Sequence, residues 1–117
     1  MAEFTIYHNP KCSKSREALA ILQEKNVDFE IIEYLQTLPS ARILEEFLEK
    51  LSGEPEALLR KDKRFAELGL KAEDYTTPAR VIAILEKHPE LMQRPVIVRG
   101  QHAVIARPGD RVLELLD

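Results

Sequence analysis

The chain has 117 residues, 44% of them hydrophobic and 32% charged, with a formal net charge of −3. That length fits one domain spanning residues 1–117, able to bury roughly two thirds of the surface its unfolded chain exposes, and the composition is that of a globular rather than a disordered chain. The balance of charge excludes a whole-chain basic footprint for nucleic acid, the single cysteine excludes an internal disulfide and a cysteine-rich zinc site, and no apolar run approaches the roughly 20 residues that span a bilayer.

Met1-Ala2-Glu3-Phe4 has no basic region leading into an apolar stretch, so no signal peptide is expected. With a lone thiol, the expected compartment is a reducing cytoplasm. Phe4 to Tyr7 alternates and predicts a short strand, broken at Asn9-Pro10-Lys11. A helix is predicted from Ser13, with Ala18, Leu19, Ile21 and Leu22 on one face and Asn26 as its stop. Phe29 to Ile32 predicts a second strand, parallel to the first if the crossover is right-handed. Ser40 is placed to cap a helix carrying Ile43, Leu44, Phe47, Leu48 and Leu51, with Gly53 at its end. Pro55 opens a short helix to about Arg60, and Phe65 to Leu70 reads as a looser stretch around Gly69. Thr77-Pro78 opens a helix with Val81, Ile82 and Leu85 facing inward, ending near His88-Pro89. Pro95–Val98 and Ala103–Ala106 flank Arg99-Gly100-Gln101-His102 as an antiparallel hairpin. Pro108-Gly109-Asp110 opens a last helix through Val112, Leu113, Leu115 and Leu116.

With the helical block at about 39–89 set aside, the order is β-α-β followed by β-β-α. This resembles the thioredoxin and glutaredoxin arrangement, an α/β fold with a mixed sheet, here with helices inserted in the middle.

Cys12 lies between a strand and the first turn of a helix. Unpaired N–H groups there and the positive end of the helix dipole favour a thiolate, as do the cationic neighbours Lys11, Lys14 and Arg16. The same N–H groups suit an anion. A small buried hydrophobe is the competing reading of such a cysteine, and the polar neighbours weigh against it. Ser15 stands where a dithiol oxidoreductase carries its second cysteine, and Ala18 stands where a thiol phosphatase carries arginine six residues on. Thiol chemistry at Cys12 therefore needs an outside thiol to complete a turnover.

Arg60 by itself reads as a surface arginine. Arg94 and Arg107 each precede a proline, Pro95 and Pro108, which restricts them, and the bond before such a proline is the kind that adopts the cis form. In a thioredoxin-like sheet Arg94 falls beside the cysteine. An arginine cluster suits a tetrahedral oxyanion, because the planar guanidinium donates paired hydrogen bonds. His8 either packs or tunes the thiol, and spacing does not decide which. His88 and His102 have no assigned role, and no metal site is expected.

Tyr7-His8-Asn9-Pro10-Lys11-Cys12-Ser13-Lys14-Ser15-Arg16 resembles the opening motif of the glutaredoxin-coupled arsenate reductases, the ArsC family. Leu58-Leu59-Arg60-Lys61, Glu67-Leu68-Gly69-Leu70, His88-Pro89, Gln93-Arg94-Pro95 and Ala106-Arg107-Pro108 extend the resemblance in order along almost the whole chain. The resemblance implies Cys12 as nucleophile, Arg60, Arg94, Arg107 and Ser15 as oxyanion-binding residues, His8 as the residue that tunes the thiolate, and Pro95 as the cis proline of the fold. It implies arsenate as substrate, glutathione as co-substrate with no bound cofactor, a glutaredoxin partner and a monomer acting without nucleic acid or membrane. Two alternatives accompany it. One is a glutathione-dependent thiol reductase of another substrate. The other is an Spx-like regulator that binds RNA polymerase, although Ser15 excludes the Cys-x-x-Cys switch many of those carry.

Overall fold

The computed structural model describes residues 3–51, 54–107 and 109–115. Strand β1 (Phe4–His8) leads into helix α1 (Ser13–Glu24) and strand β2 (Phe29–Glu33). Helices α2 (Ala41–Lys50), α3 (Lys63–Glu67) and α4 (Pro78–Lys87) follow, interspersed with 3-10 turns at Pro55–Leu58, Ala72–Asp74 and Pro89–Leu91. Strands β3 (Val96–Arg99) and β4 (His102–Ile105) and a 3-10 segment at Gly109–Leu115 complete the order.

The sheet has four strands in the order β2-β1-β3-β4. β1 runs parallel to β2, with Ile6 opposite Ile31, and antiparallel to β3, with Ile6 opposite Ile97. β3 and β4 form a hairpin in which Arg99 pairs with His102. Its two-residue turn starts at Gly100, whose φ of 60° suits a residue without Cβ at that position. This is the mixed sheet of the thioredoxin-like fold.

Side-chain alternation divides the interior into two cores, one on each face of the sheet. Phe4 and Ile6 of β1, Ile97 and Val104 pack with Ala18 and Leu22 of α1 and with Val112 and Leu115. On the other face, Val96 joins Leu44, Phe47, Val81, Ile84 and Leu85 of α2 and α4, and Tyr7 stands edge-on to Phe47 with ring centroids 4.7 Å apart. A large aliphatic or aromatic side chain buried in this way contributes about 1.5–3 kcal/mol.

The helix starts follow from their caps. Ser40 Oγ accepts the Ile43 N–H, Thr77 Oγ1 accepts the Arg80 N–H ahead of Pro78, and Asp62 Oδ1 accepts the Phe65 N–H. α1 stops where Asn26 enters the left-handed region at φ 56°, which asparagine tolerates better than most residues.

Three sequence expectations change. The stretch around Phe65 holds the short helix α3 rather than a loose segment, because Asp62 caps it. The last segment winds as a 3-10 helix, which brings Val112 and Leu115, three residues apart, onto the core and leaves Leu113 exposed. Ile84 joins the buried face of α4, while Ile82 is only partly buried. The expected roles of Gly53, Pro108 and Leu116 lie outside the described residues. No described helix is long and apolar enough to cross a membrane.

Candidate active site

The turn between β1 and α1 is built by its own backbone. Asn9 Oδ1 accepts the Lys11 N–H at 3.0 Å, and the Asn9 carbonyl accepts the Cys12 N–H at 3.0 Å. Cys12 then takes the extended N-cap conformation, φ −97° and ψ 124°, and its carbonyl accepts the Arg16 N–H as the helix begins. The residue is 9% exposed, so its sulfur sits at the surface of the core.

Burial pushes the Cys12 thiol up, but hydrogen bonds to the sulfur outweigh it. The Ser15 N–H, the Arg94 side chain, the Lys14 N–H and the Arg107 side chain together bring the pKa down to about 7. Arg107 Nη1 donates to the sulfur at 3.6 Å and to the Arg94 carbonyl at 3.0 Å. The two cationic side chains that donate to it come from distant parts of the chain. Arg16 is turned away, with Nη1 donating to the Pro10 carbonyl at 3.1 Å.

Ser15 and His8 form a buried pair beneath the turn. Ser15 Oγ accepts the Asn9 N–H at 3.0 Å and lies 2.7 Å from His8 Nδ1. Burial holds the His8 pKa below its ordinary value, Glu33 opposes this and Arg16 adds to it. The imidazole is therefore neutral at pH 7, and its Nδ1 shares one hydrogen bond with the Ser15 hydroxyl. Ser15 thus presents its backbone N–H to the sulfur and its hydroxyl to His8. No hydrogen bond links His8 directly to Cys12, and the connection between them runs through Ser15.

The arginines arrive from three separate segments. Arg94 precedes a cis peptide bond to Pro95 at the entry to β3. Arg107 follows β4. Arg60 is brought alongside by backbone pairing between two short turns. The Arg60 N–H donates to the Leu91 carbonyl, the Gln93 N–H donates to the Leu58 carbonyl, and Leu59 bridges to Met92. The pKa of Arg60 is lowered by burial first and then by the positive charge of Arg94, while Asp62 works in the opposite direction and Arg107 adds to the lowering. Asp62 Oδ2 pairs with Arg60 Nη1 at 3.0 Å. Three guanidinium groups in mutual repulsion beside a thiolate-forming sulfur make a receptor for an anion with several oxygens.

Tyr34 is the residue that sequence reasoning missed. It directly follows β2 and is completely buried, and its hydroxyl proton has no acceptor. Arg94 Nε and Gln93 Oε1 are likewise buried without partners. Burial raises the Tyr34 pKa, while Arg94, a hydrogen bond from the Asn9 side chain and Arg60 lower it and Cys12 raises it, so the phenol, itself part of the core, feels the charges of this site. Each unsatisfied group costs about 1–3 kcal/mol, and such groups are rare in folded proteins. The available signal was position: ligands of open α/β sheets gather beyond the carboxyl ends of the strands. Among the described residues no group of three potential metal ligands converges.

A model of the ArsC family matches residues 7–115. The chain belongs to the ArsC family. Among its ArsC relatives, an arsenate reductase of Neisseria meningitidis is 36% identical over 99% of this chain and 100% of its own length. An arsenate reductase of Escherichia coli is 38% identical over 99% of this chain and 82% of its own length. The solved structure of an arsenate reductase from Vibrio cholerae superposes with a TM-score of 0.87 at 36% identity, covering 97% of both chains.

Proposed function

We propose that this ArsC-family chain reduces arsenate to arsenite, with Cys12 as the nucleophile and with glutathione and a glutaredoxin supplying the electrons. The observation that carries the reading is a thiol held near pKa 7 by two helix N–H groups and by Arg94 and Arg107, in a chain with no second cysteine. Such a thiol is about half ionised at neutral pH and stands beside donors for an oxyanion.

The Cys12 thiolate forms a bond to arsenic, and an arsenate oxygen departs as water after protonation. Glutathione displaces a second oxygen as water, leaving arsenic(V) between two sulfurs. The glutaredoxin thiolate then attacks the glutathione sulfur. A disulfide forms between those two sulfurs, the As–S bond electrons stay on arsenic, and As(V) becomes As(III). Water cleaves the remaining Cys12–As bond, releasing arsenite and the thiolate. Arg60, Arg94 and Arg107 neutralise the oxyanion through these steps, and the Ser15 N–H helps hold the sulfur. His8 fixes the turn through Ser15, and Pro95 sets the direction of Arg94. Glutathione enters as a co-substrate rather than as a bound cofactor, and the chain works as a monomer in the reducing cytoplasm.

The test is arsenate-dependent NADPH consumption coupled through glutathione, glutaredoxin and glutathione reductase. Turnover is expected with the unaltered chain and absent both with Cys12→Ser and without glutaredoxin. Full turnover by Cys12→Ser would overturn the mechanism. Reduction of glutathionylated peptides with no arsenate turnover would replace arsenate as the substrate.

A further inference from the structure

We propose that Tyr34 is a substrate-positioning residue whose hydroxyl donates a hydrogen bond to an oxygen of the oxyanion held beside Cys12, an inference that rests on the oxyanion reading above. The phenol is completely buried. Asn9 bears on the phenol only from its donor side, lowering the pKa, while its Oδ1 is taken by the Lys11 N–H, so the Tyr34 proton has no acceptor. The fold thus carries a desolvated donor at the carboxyl end of β2, against Arg94, whose own Nε is buried and unpartnered. A tetrahedral oxyanion offers an acceptor oxygen to each of them.

The choice of a phenol has a physical logic. Burial lowers the Arg60 pKa first, and the positive charges of Arg94 and Arg107 add to the lowering, so the three cations already repel one another. A fourth cation would add to that repulsion, whereas a neutral hydroxyl adds a donor without charge. Burial keeps the phenol protonated, so it donates across the whole range in which Cys12 ionises. It also supplies direction, since an O–H fixed by a packed ring accepts only one placement of the oxygen.

The test uses the full chain and Tyr34→Phe, which keeps the ring and removes only the hydroxyl. Inorganic arsenate is titrated against the rate of Cys12 alkylation by iodoacetamide, each protein being normalised to its own anion-free rate. One lost hydrogen bond to a charged group predicts about a ten-fold or greater rise in the arsenate concentration giving half protection. The KM for arsenate in the coupled assay is expected to rise by a similar factor, more than kcat falls, which a merely structural role would not produce. As a second measurement, the 13Cζ resonance of Tyr34 in labelled, unaltered protein is expected to move on addition of arsenate, so the proposal stays testable if the variant folds poorly. Equal half-protection concentrations in the two proteins, or a static Tyr34 resonance while arsenate protects Cys12, overturn the role of Tyr34 and leave the arsenate reading standing. Failure of arsenate to protect the unaltered chain overturns both.

Discussion

The turn that carries Cys12 and the cluster that carries Arg60, Arg94 and Arg107 reach the same few ångströms by opposite routes. The turn is local. Asn9, Lys11, Cys12, Ser15 and Arg16 bond to one another within a single loop and the first turn of α1. The cluster is assembled from the end of a 3-10 turn, the entry to β3 and the exit from β4, and holds only when the sheet and the helical block are both in place. The turn supplies N–H groups that favour the thiolate wherever the loop forms, whereas the arginines add to it only in the complete fold.

The largest effect is expected when the assembled half is removed. Arg107→Ala and Arg94→Ala each delete a donor to the sulfur. Each is expected to move the Cys12 pKa upward from about 7 by up to about a unit, read from the pH profile of alkylation. Each is also expected to lower arsenate turnover by on the order of 10²-fold, as the loss of one preorganised donor does elsewhere. An unchanged alkylation profile in both variants would mean that the turn alone holds the thiol down.

Removing the base of the local half affects stability first. Ser15→Ala leaves the Asn9 N–H without its partner in a half-buried turn and takes the hydrogen bond from His8. The expected cost is about 1–3 kcal/mol in denaturant unfolding, with a smaller change in the Cys12 pKa than either arginine variant gives, since the Ser15 backbone N–H remains. A pKa change as large as that of Arg107→Ala would show that the hydroxyl, and not only the amide, orders the sulfur.

This division explains what could be read from the sequence. The β-α-β start, the stop at Asn26 and the reactive setting of Cys12 follow from neighbours in sequence, and so were legible. Arg94 was marked by the proline after it. Arg60 taken alone read as a surface residue and was marked only by the family resemblance, because what brings it in is the pairing of Leu58–Arg60 with Leu91–Gln93, two irregular stretches without periodicity. Tyr34 drew no reading from the sequence, since nothing local distinguishes a buried phenol from an exposed one. Helix α3 was missed because five residues are too few to show a helical period, although Asp62 was a usable cap signal.

The titrations of Cys12 and His8 separate by pH, which sharpens the comparison. The Cys12 pKa is lower in the folded state, about 7, than the roughly 8.5 of a free thiol. Its contribution to stability is therefore fully present above the unfolded value and is lost as pH falls through 7, on the order of 2 kcal/mol. The His8 pKa is also lowered on folding, here because burial favours the neutral base, and the slope has the same sign as that of Cys12. The unfolded state takes up the proton first, so stability falls as pH drops below about 6.5. Unfolding free energy measured from pH 5 to 9 is expected to show both slopes. Cys12→Ser removes only the upper one and His8→Gln only the lower. Loss of both slopes in either variant would mean that the two groups titrate as one unit.

The smallest expected effect concerns Arg60, which among the described residues already has a carboxylate partner. Asp62 caps α3 with Oδ1 and pairs with Arg60 through Oδ2, and the two side chains are 31% and 23% exposed. An incoming oxyanion must compete with that carboxylate for Arg60. Asp62→Asn retains a cap oxygen for the Phe65 N–H while removing the negative charge, so α3 keeps its start and the thermal midpoint changes little. A partly exposed pair contributes about 0.2–1 kcal/mol, which bounds the gain in arsenate affinity at roughly five-fold. The expected outcome is a KM for arsenate lowered by two- to five-fold with kcat nearly constant. A raised KM would reverse the assignment, because the carboxylate would then be aiming Arg60 at the oxyanion rather than competing with it.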